Sequence, residues 1–363
     1  MKIIYLIPQG GYITDLRSDT LWGMLCWGIR HLWGESELES FIKKAASGHP
    51  DFVITSTFPF KQHGDERIPF FPNPLVLPPE AREMDVKKAL AEARARKDLK
   101  EVAWLGLEDF EAVLHGKLTS EDLLVRIRAA RDLRKTAEED GLGYPPSGQT
   151  VRRTAPERKV FSQTHNTIDR LQGGTLTKLD SDNNRAGQLF HADEIFWRDP
   201  DDETSESNTG LFFLAEGTDL TKLAPVLNLF RHVGLGADRS SGKGFFDFEI
   251  LDFAPSEPPP SSANALINLS LFCPTEPELE AFKASNGALQ YLLEKREGYV
   301  GGRALHPKQP RMYFKEGSVF ARPSEQMGRV MGCVRQQEFE EESKPDHEVW
   351  ENGFAFMLNL NWK

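Results

Sequence analysis

Apolar and polar positions along the chain alternate between two periods. Lys2 to Ile7 is almost continuously apolar and reads as a strand. From Asp19 to Trp33 the period lengthens. Leu21, Leu25, Ile29 and Leu32, flanked by Trp22 and Cys26, recur at three- and four-residue intervals, and Ser18 or Asp19 stands where a helix cap belongs. Glu37 to Lys44 predicts a short further helix and Phe52 to Thr57 a strand. Pro59 to Pro79 holds six prolines, which remove backbone donors, so a loop or edge segment is expected there. Met84 to Gly141 is helical and strongly charged and reads as an insertion. YPPSG, Tyr144 to Gly148, breaks it. Val151 to Trp197 lacks long apolar runs and reads as a long extended hairpin or a partly disordered stretch.

Regular patterning then returns. Leu211 to Ala215 predicts a strand, Thr218 to Val233 an amphipathic helix, and Phe245 to Leu251 another strand. APSEPPPSS, Ala254 to Ser262, is the clearest linker. Beyond it the pattern restarts. Leu266 to Phe272 reads as a strand, Glu278 to Lys295 as a helix broken near Asn286-Gly287, and short strands follow to Leu360. Both halves open with strand then helix. The expectation is therefore an α+β protein of two domains, 1–253 and 263–363.

Composition narrows the function classes. The 363 residues suit two domains of ordinary size. The apolar start, MKIIYLIPQ, is too short to span a membrane and lacks a secretion cleavage site, so a cytoplasmic location is expected. Cys26, Cys273 and Cys333 are odd in number and far apart, which indicates neither a disulfide framework nor a zinc site. The net charge of −11 weighs against a free nucleic-acid binder. Charge is unevenly spread, however. Acidic residues concentrate at Asp199 to Glu206 and Glu338 to Glu342, while Arg126 to Lys159 is rich in Arg and Lys and reads as a solvated helix surface or a basic face.

The most informative stretch is GLGADRSSGKGFFDFEI, Gly234 to Ile250. Its glycines permit φ > 0 and close backbone approach to a bulky ligand, its N–H groups can form a concave anion site, and Arg239 and Lys243 add charge. It is not a nucleotide-hydrolase phosphate loop, because Gly236 and Gly242 enclose five residues and Gly244 follows Lys243. It is not a dinucleotide fingerprint, because Arg239 stands where a third glycine is needed. It also follows a helix C-terminus, where the dipole opposes anions, so any phosphate affinity must come from the turn itself. A glycine-rich connection without chemistry is the bland alternative.

Together, LRSDTLWGMLCWGIR (Leu16 to Arg30), FPNPL (Phe71 to Leu75), THNTIDR (Thr164 to Arg170), the glycine-rich segment and ENGFAFMLNLN (Glu351 to Asn361) resemble one family. It is the fourth subunit of the type III-A CRISPR Csm complex, a member of the RAMP superfamily. The glycine-rich segment places the superfamily, and the SDTLWGMLCW and HNTIDR stretches narrow it. The resemblance implies two ferredoxin-like (RRM-like) domains, with a helical insertion at about 84–141 and a β-hairpin thumb at about 161–197 in the first. It implies a non-catalytic subunit without cofactor or metal. That subunit holds the repeat-derived 5′ handle of the CRISPR RNA (crRNA) and contacts the large polymerase/nuclease subunit and the backbone RAMP subunit. No membrane role is implied.

Candidate RNA contacts are Gly234, Gly236, Arg239, Ser240, Ser241, Gly242 and Lys243 in the turn, which would fix register on phosphate and sugar. Arg17 and Ser18 precede a helix N-terminus, either as a phosphate site or as a simple cap. His165 and Asn166 are candidates for the handle, and Arg170 for phosphate. His165 has three readings: a base-stacking platform, a structural residue, or the general base of a metal-independent guide-processing endoribonuclease. The last defines the alternative function. No second His or Lys lies at a spacing that pairs with it. Trp22, Trp27 and Trp33 sit among Leu and Cys at helical spacing and read as core or interface packing.

Overall fold

The computed structural model describes residues 1–74, 86–139, 155–169, 171–179, 185–200, 209–256, 263–284, 290–298, 307–321, 327–333 and 348–362. Arg170, most of the 254–262 linker and the acidic 338–342 segment lie outside the described residues. The first part contains β1 (Lys2–Pro8), α1 (Ser18–Trp33), α2 (Glu35–Ala46), β2 (Phe52–Ile54), β3 (Phe58–His63) and β4 (Glu66–Pro72). Next come α3 (Val86–Glu101), β5 (Trp104–Gly106), α4 (Leu107–Leu114) and α5 (Ser120–Glu139). β6 (Glu157–Asn166), β7 (Ile168–Asp169), β8 (Gly174–Thr175), β9 (Thr177–Leu179), β10 (Arg185–Gly187) and β11 (Leu189–Arg198) follow. The part closes with β12 (Thr209–Gly217), α6 (Leu223–Val233) and β13 (Phe246–Asp252).

One antiparallel sheet runs β13-β1-β12-β3-β4-β5, with β2 also on β12. Both faces of its central strands are covered, which explains why β1 and β12 read as unbroken apolar runs. Ile4, Leu6, Leu211 and Phe213 point to a core built with Leu21, Trp22, Leu25 and Ile29 of α1 and Val226, Leu227 and Phe230 of α6. Ile3, Tyr5, Phe212 and Leu214 point the other way, to Phe110, Val113 and Leu114 of α4 and to the C-terminal part. Each Phe or Leu so buried contributes roughly 1.5–3 kcal/mol.

The sheet corrects two expectations. Pro59, Pro69 and Pro72 lie in strands, not in a loop. Pro69 and Pro72 end the ladders to β3 and β5, and Pro59 is paired on one side only, so a missing donor costs little there. The 84–141 stretch is not wholly helical: β5 joins the sheet, and Phe71 stacks on Phe110 with ring centroids 4.5 Å apart.

The C-terminal part contains β14 (Ala265–Asn268), α7 (Glu276–Ala284), β15 (Leu293–Arg296), β16 (Arg311–Phe314), β17 (Val319–Ala321), β18 (Val330–Gly332), β19 (Trp350–Asn352) and β20 (Met357–Leu360). The helix expected over Glu278 to Lys295 is shorter, and its final residues form β15, whose polar face meets the first part. β17-β14-β20 form an antiparallel sheet. Its Ala265, Ile267, Val319 and Leu358 share one core with Tyr5, Phe71 and Phe110. The α4 region supports this junction: Leu114 O accepts from Asn361 N–H at 2.8 Å, and Glu111 Oε1 from Ser256 N–H at 2.8 Å. Among the described residues, no helix is long and apolar enough to cross a membrane.

Candidate nucleic-acid interface

Three pieces converge beyond the end of β1: the Gly10 to Arg17 loop, the glycine-rich turn, and the base of the β6–β11 hairpin. The turn begins where Gly234 ends α6 in a positive-φ conformation. Leu235 N–H donates to Gly244 O at 2.7 Å and closes it. Inside, Arg239 to Ser241 form a single 3-10 turn, Asp238 is left-handed, and Asp238 O accepts from Ser241 N–H at 3.0 Å and Lys243 N–H at 3.3 Å. Glycine is required at two positions. A Cβ on Gly244 (φ 73°) would strike the Leu235 carbonyl, and one on Gly236 (φ 86°) would press on Thr14.

Arg239, Ser240, Ser241 and Gly242 are exposed. No described residue forms an ion pair or hydrogen bond with the Arg239 guanidinium. Lys243 is different: its ammonium pairs with the buried Glu194 of β11.

The hairpin arm pairs Glu157–Asn166 with Leu189–Arg198 without interruption. Its base is fixed by Tyr12 and Ile195, whose N–H groups donate to each other's carbonyls at 3.3 and 2.7 Å. Trp197 Nε1 donates to Tyr12 Oη at 2.6 Å, and Arg158 pairs with Asp15 at 3.2 Å. Burial pushes the Tyr12 phenol pKa well up, so it stays neutral.

Side chains alternate along the arm. Glu194, Phe196, Phe161, His165 and Phe190 therefore share the face that meets the turn at Glu194. Phe161 packs edge-on against Phe196 at 5.6 Å yet is 57% exposed. Farther out, His165 stacks on Phe190 at 5.4 Å and 19°, and Phe190 is 49% exposed. The His165–Phe190 row lies four pairs beyond the Phe161–Glu194 row, about 13 Å along the strand. His165 thus shares a side with the turn without touching it. Asn166 is on the opposite face and donates to Thr175 Oγ1 at 2.9 Å.

Arg17 and Ser18 are not at this surface, contrary to expectation. Ser18 is 0% exposed. Its N–H donates to Ser56 Oγ at 3.0 Å, and its Oγ accepts from Leu271 N–H at 2.9 Å. Neither Ser18 nor Asp19 caps α1, which starts without a side-chain cap. Asp19 instead receives Arg296 Nε at 2.9 Å, and Arg17 lies between Glu316 and Glu294. Burial alone would lower the Arg17 pKa, but Glu316, Glu294 and Asp19 outweigh it and raise it. Sequence reasoning missed Glu194, Phe161 and Phe190. No local period singled out the two aromatics or Glu194; their shared face follows from the register of the arm. Among the described residues, no group of three His, Cys, Asp or Glu could hold a metal ion.

Residues 261–360 match the family model described as the CRISPR Csm4 C-terminal domain. Over 98% of this chain and 96% of the relative, the chain is 23% identical to "CRISPR system Cms protein Csm4" of Thermococcus onnurineus (strain NA1). The chain is thus similar to Csm4 along its length, and its residues 261–360 match that family's C-terminal domain. A 123-residue stretch is also 36% identical to Csm4 of Mycobacterium tuberculosis, in strains CDC 1551 / Oshkosh and ATCC 25618 / H37Rv. That stretch covers 32% of this chain and 39% of the length of those relatives. In a solved Csm3-Csm4 subcomplex of the type III-A CRISPR-Cas interference complex, one chain matches at TM-score 0.58 and 16% identity, covering 99% of this chain and 100% of that one. A Csm1-Csm4 cassette in complex with pppApA matches at TM-score 0.51 and 17% identity, covering 99% and 97%. At these identities the two structures establish a shared fold.

Proposed function

We propose that this protein is a non-catalytic, cytoplasmic subunit of a type III-A CRISPR effector complex, and that it anchors the 5′ handle of the crRNA. In that role it joins the large polymerase/nuclease subunit to the backbone RAMP subunit, as expected of a relative of proteins solved with Csm1 and with Csm3. The observation that carries the reading is one surface: the exposed Arg239–Gly242 turn and the exposed Phe161 and Phe190 on the same side of the arm. Cation and hydroxyls suit phosphate and sugar, while exposed rings suit unstacked bases. The strand order β13-β1-β12-β3, with α1 and α6 as crossings, supports a ferredoxin-like first domain with α3–α5 and the arm as insertions. β17-β14-β20 supports part of the same arrangement in a second domain.

The test is to titrate purified protein with a repeat-derived handle RNA and a scrambled RNA of equal length, and then to examine the RNA. Tighter binding of the handle, with RNA intact, is expected. Metal-independent cleavage lost in His165→Ala would establish the endoribonuclease alternative instead. Equal, weak binding of both RNAs would remove the anchoring role.

A further inference from the structure

Glu194 is the least expected residue at this surface, a carboxylate 2% exposed where the arm leaves the body. Its Oε1 is held by the Lys243 ammonium, the one described cation paired with it. Gly11 lies directly over it: a Cβ there would collide with Glu194 Oε2 and the Phe196 ring. We infer that Lys243 is a positioning residue, which holds the hairpin arm at a fixed angle to the glycine-rich turn through Glu194 and does not contact guide phosphates. The purpose of that alignment rests on the RNA-binding reading above; the tether itself rests on the contacts alone.

The physical reason is the cost of an unpaired buried charge. A phosphate that drew the Lys243 ammonium away would strand a carboxylate between a ring and the Gly11 backbone. Arg239, exposed and with no described partner, is available to phosphate without that cost. The backbone already links turn and arm through the loop after β1. Gly244 N–H donates to Gly11 O at 3.1 Å and Ala237 N–H to Thr14 Oγ1 at 3.0 Å, while Tyr12 and Asp15 hold Ile195 and Arg158. Lys243–Glu194 closes this ring by a direct side-chain link. Stacking rings and a phosphate-binding turn must keep one spacing if both are to engage consecutive nucleotides, and the closed ring supplies it.

The test uses the full chain without RNA. The three native cysteines are buried, so spin labels can be directed to Gln172→Cys at the arm's far end and His232→Cys beside the turn, both exposed positions. Pulsed-resonance distances should be narrowly distributed with the native pair. They should broaden in Lys243→Met and in the isosteric Glu194→Gln, and narrow again in Lys243→Arg. In parallel, the slope of log affinity against log salt for handle RNA should be unchanged in Lys243→Met, while Arg239→Ala lowers it by about 0.7. An unchanged distance distribution in folded Glu194→Gln and Lys243→Met overturns the tether, as does a slope loss of about 0.7 in Lys243→Met. If the native protein binds no handle RNA, the RNA reading fails while the distance measurement still judges the tether.

Discussion

Arg17 Nε donates to Glu316 Oε1 at 2.8 Å across 299 residues, joining the start of α1 to the C-terminal part. Glu316 also accepts from Ser56 Oγ, and Ser56 N–H donates to Leu269 O at 3.0 Å. Glu294, on β15, takes the other side of the guanidinium at 3.1 Å. The cluster is thus a structural bond between the two parts and not a free phosphate site. Truncating one partner leaves a buried carboxylate unpaired. Arg17→Ala should therefore cost about 3–5 kcal/mol of stability. Urea unfolding checks this. A midpoint unchanged in Arg17→Ala would show that the cluster contributes nothing net.

The reach of that pair explains what the sequence could and could not reveal. Ser18–Trp33 and Leu223–Val233 were legible because burial on one face writes a helical period into the chain, and Lys2–Pro8 and Thr209–Gly217 because burial on both faces leaves an unbroken apolar run. Pro69 and Pro72 were misread because tolerance of proline depends on where a ladder stops, which is a property of the partner strand. Arg17 resembled a phosphate ligand because its carboxylates lie 277 and 299 residues away. The glycine-rich turn was legible, since its backbone demands leave a residue signature. The partner of Lys243 was not, because Glu194 sits 49 positions earlier in an arm without a core pattern. Local chemistry was readable, and long-range charge pairing was not.

Arg239 gives the clearest electrostatic prediction. It is exposed and has no described partner, so Arg239→Ala should leave stability within about 0.5 kcal/mol. RNA affinity should fall, and the dependence of log affinity on log salt should become shallower by about 0.7. Titrations at several salt concentrations read both. A lower affinity with an unaltered slope would mean that Arg239 acts by shaping the turn.

Gly244 tests whether the turn's backbone shape matters. Alanine there must adopt φ near 73°, at a cost of about 1–2 kcal/mol, and its Cβ would meet the Leu235 carbonyl that closes the turn. Leu235 is buried while Arg239–Gly242 are exposed, so the turn should deform before the core does. Gly244→Ala should lower RNA affinity at least as much as Arg239→Ala does, with the cooperative unfolding transition retained. Gly173→Ala, at a positive-φ position on the arm with open space around it, is the control for strain alone.

Alkaline pH should destabilise the fold through groups buried in neutral form. Burial, and next the Glu351 carboxylate, push the Cys333 thiol from 9.0 up to about 12. Burial likewise pushes the Tyr5 phenol from 10.0 up to about 12, against an opposing contribution from Arg67. In the unfolded chain both groups ionise earlier, so the unfolded state releases protons that the folded state retains. The stabilisation is therefore complete below about pH 9 and is lost as pH climbs toward 12. Urea midpoints should be flat from pH 7.5 to 8.5 and then fall. Cys333→Ala and Tyr5→Phe should each flatten that fall, whatever they do at neutral pH, because each removes one of the protons at stake. A thiol reagent at pH 8 should accordingly react with Cys333 only at the rate of unfolding. Prompt reaction in native buffer would mean that the C-terminal core opens far more readily than its burial implies.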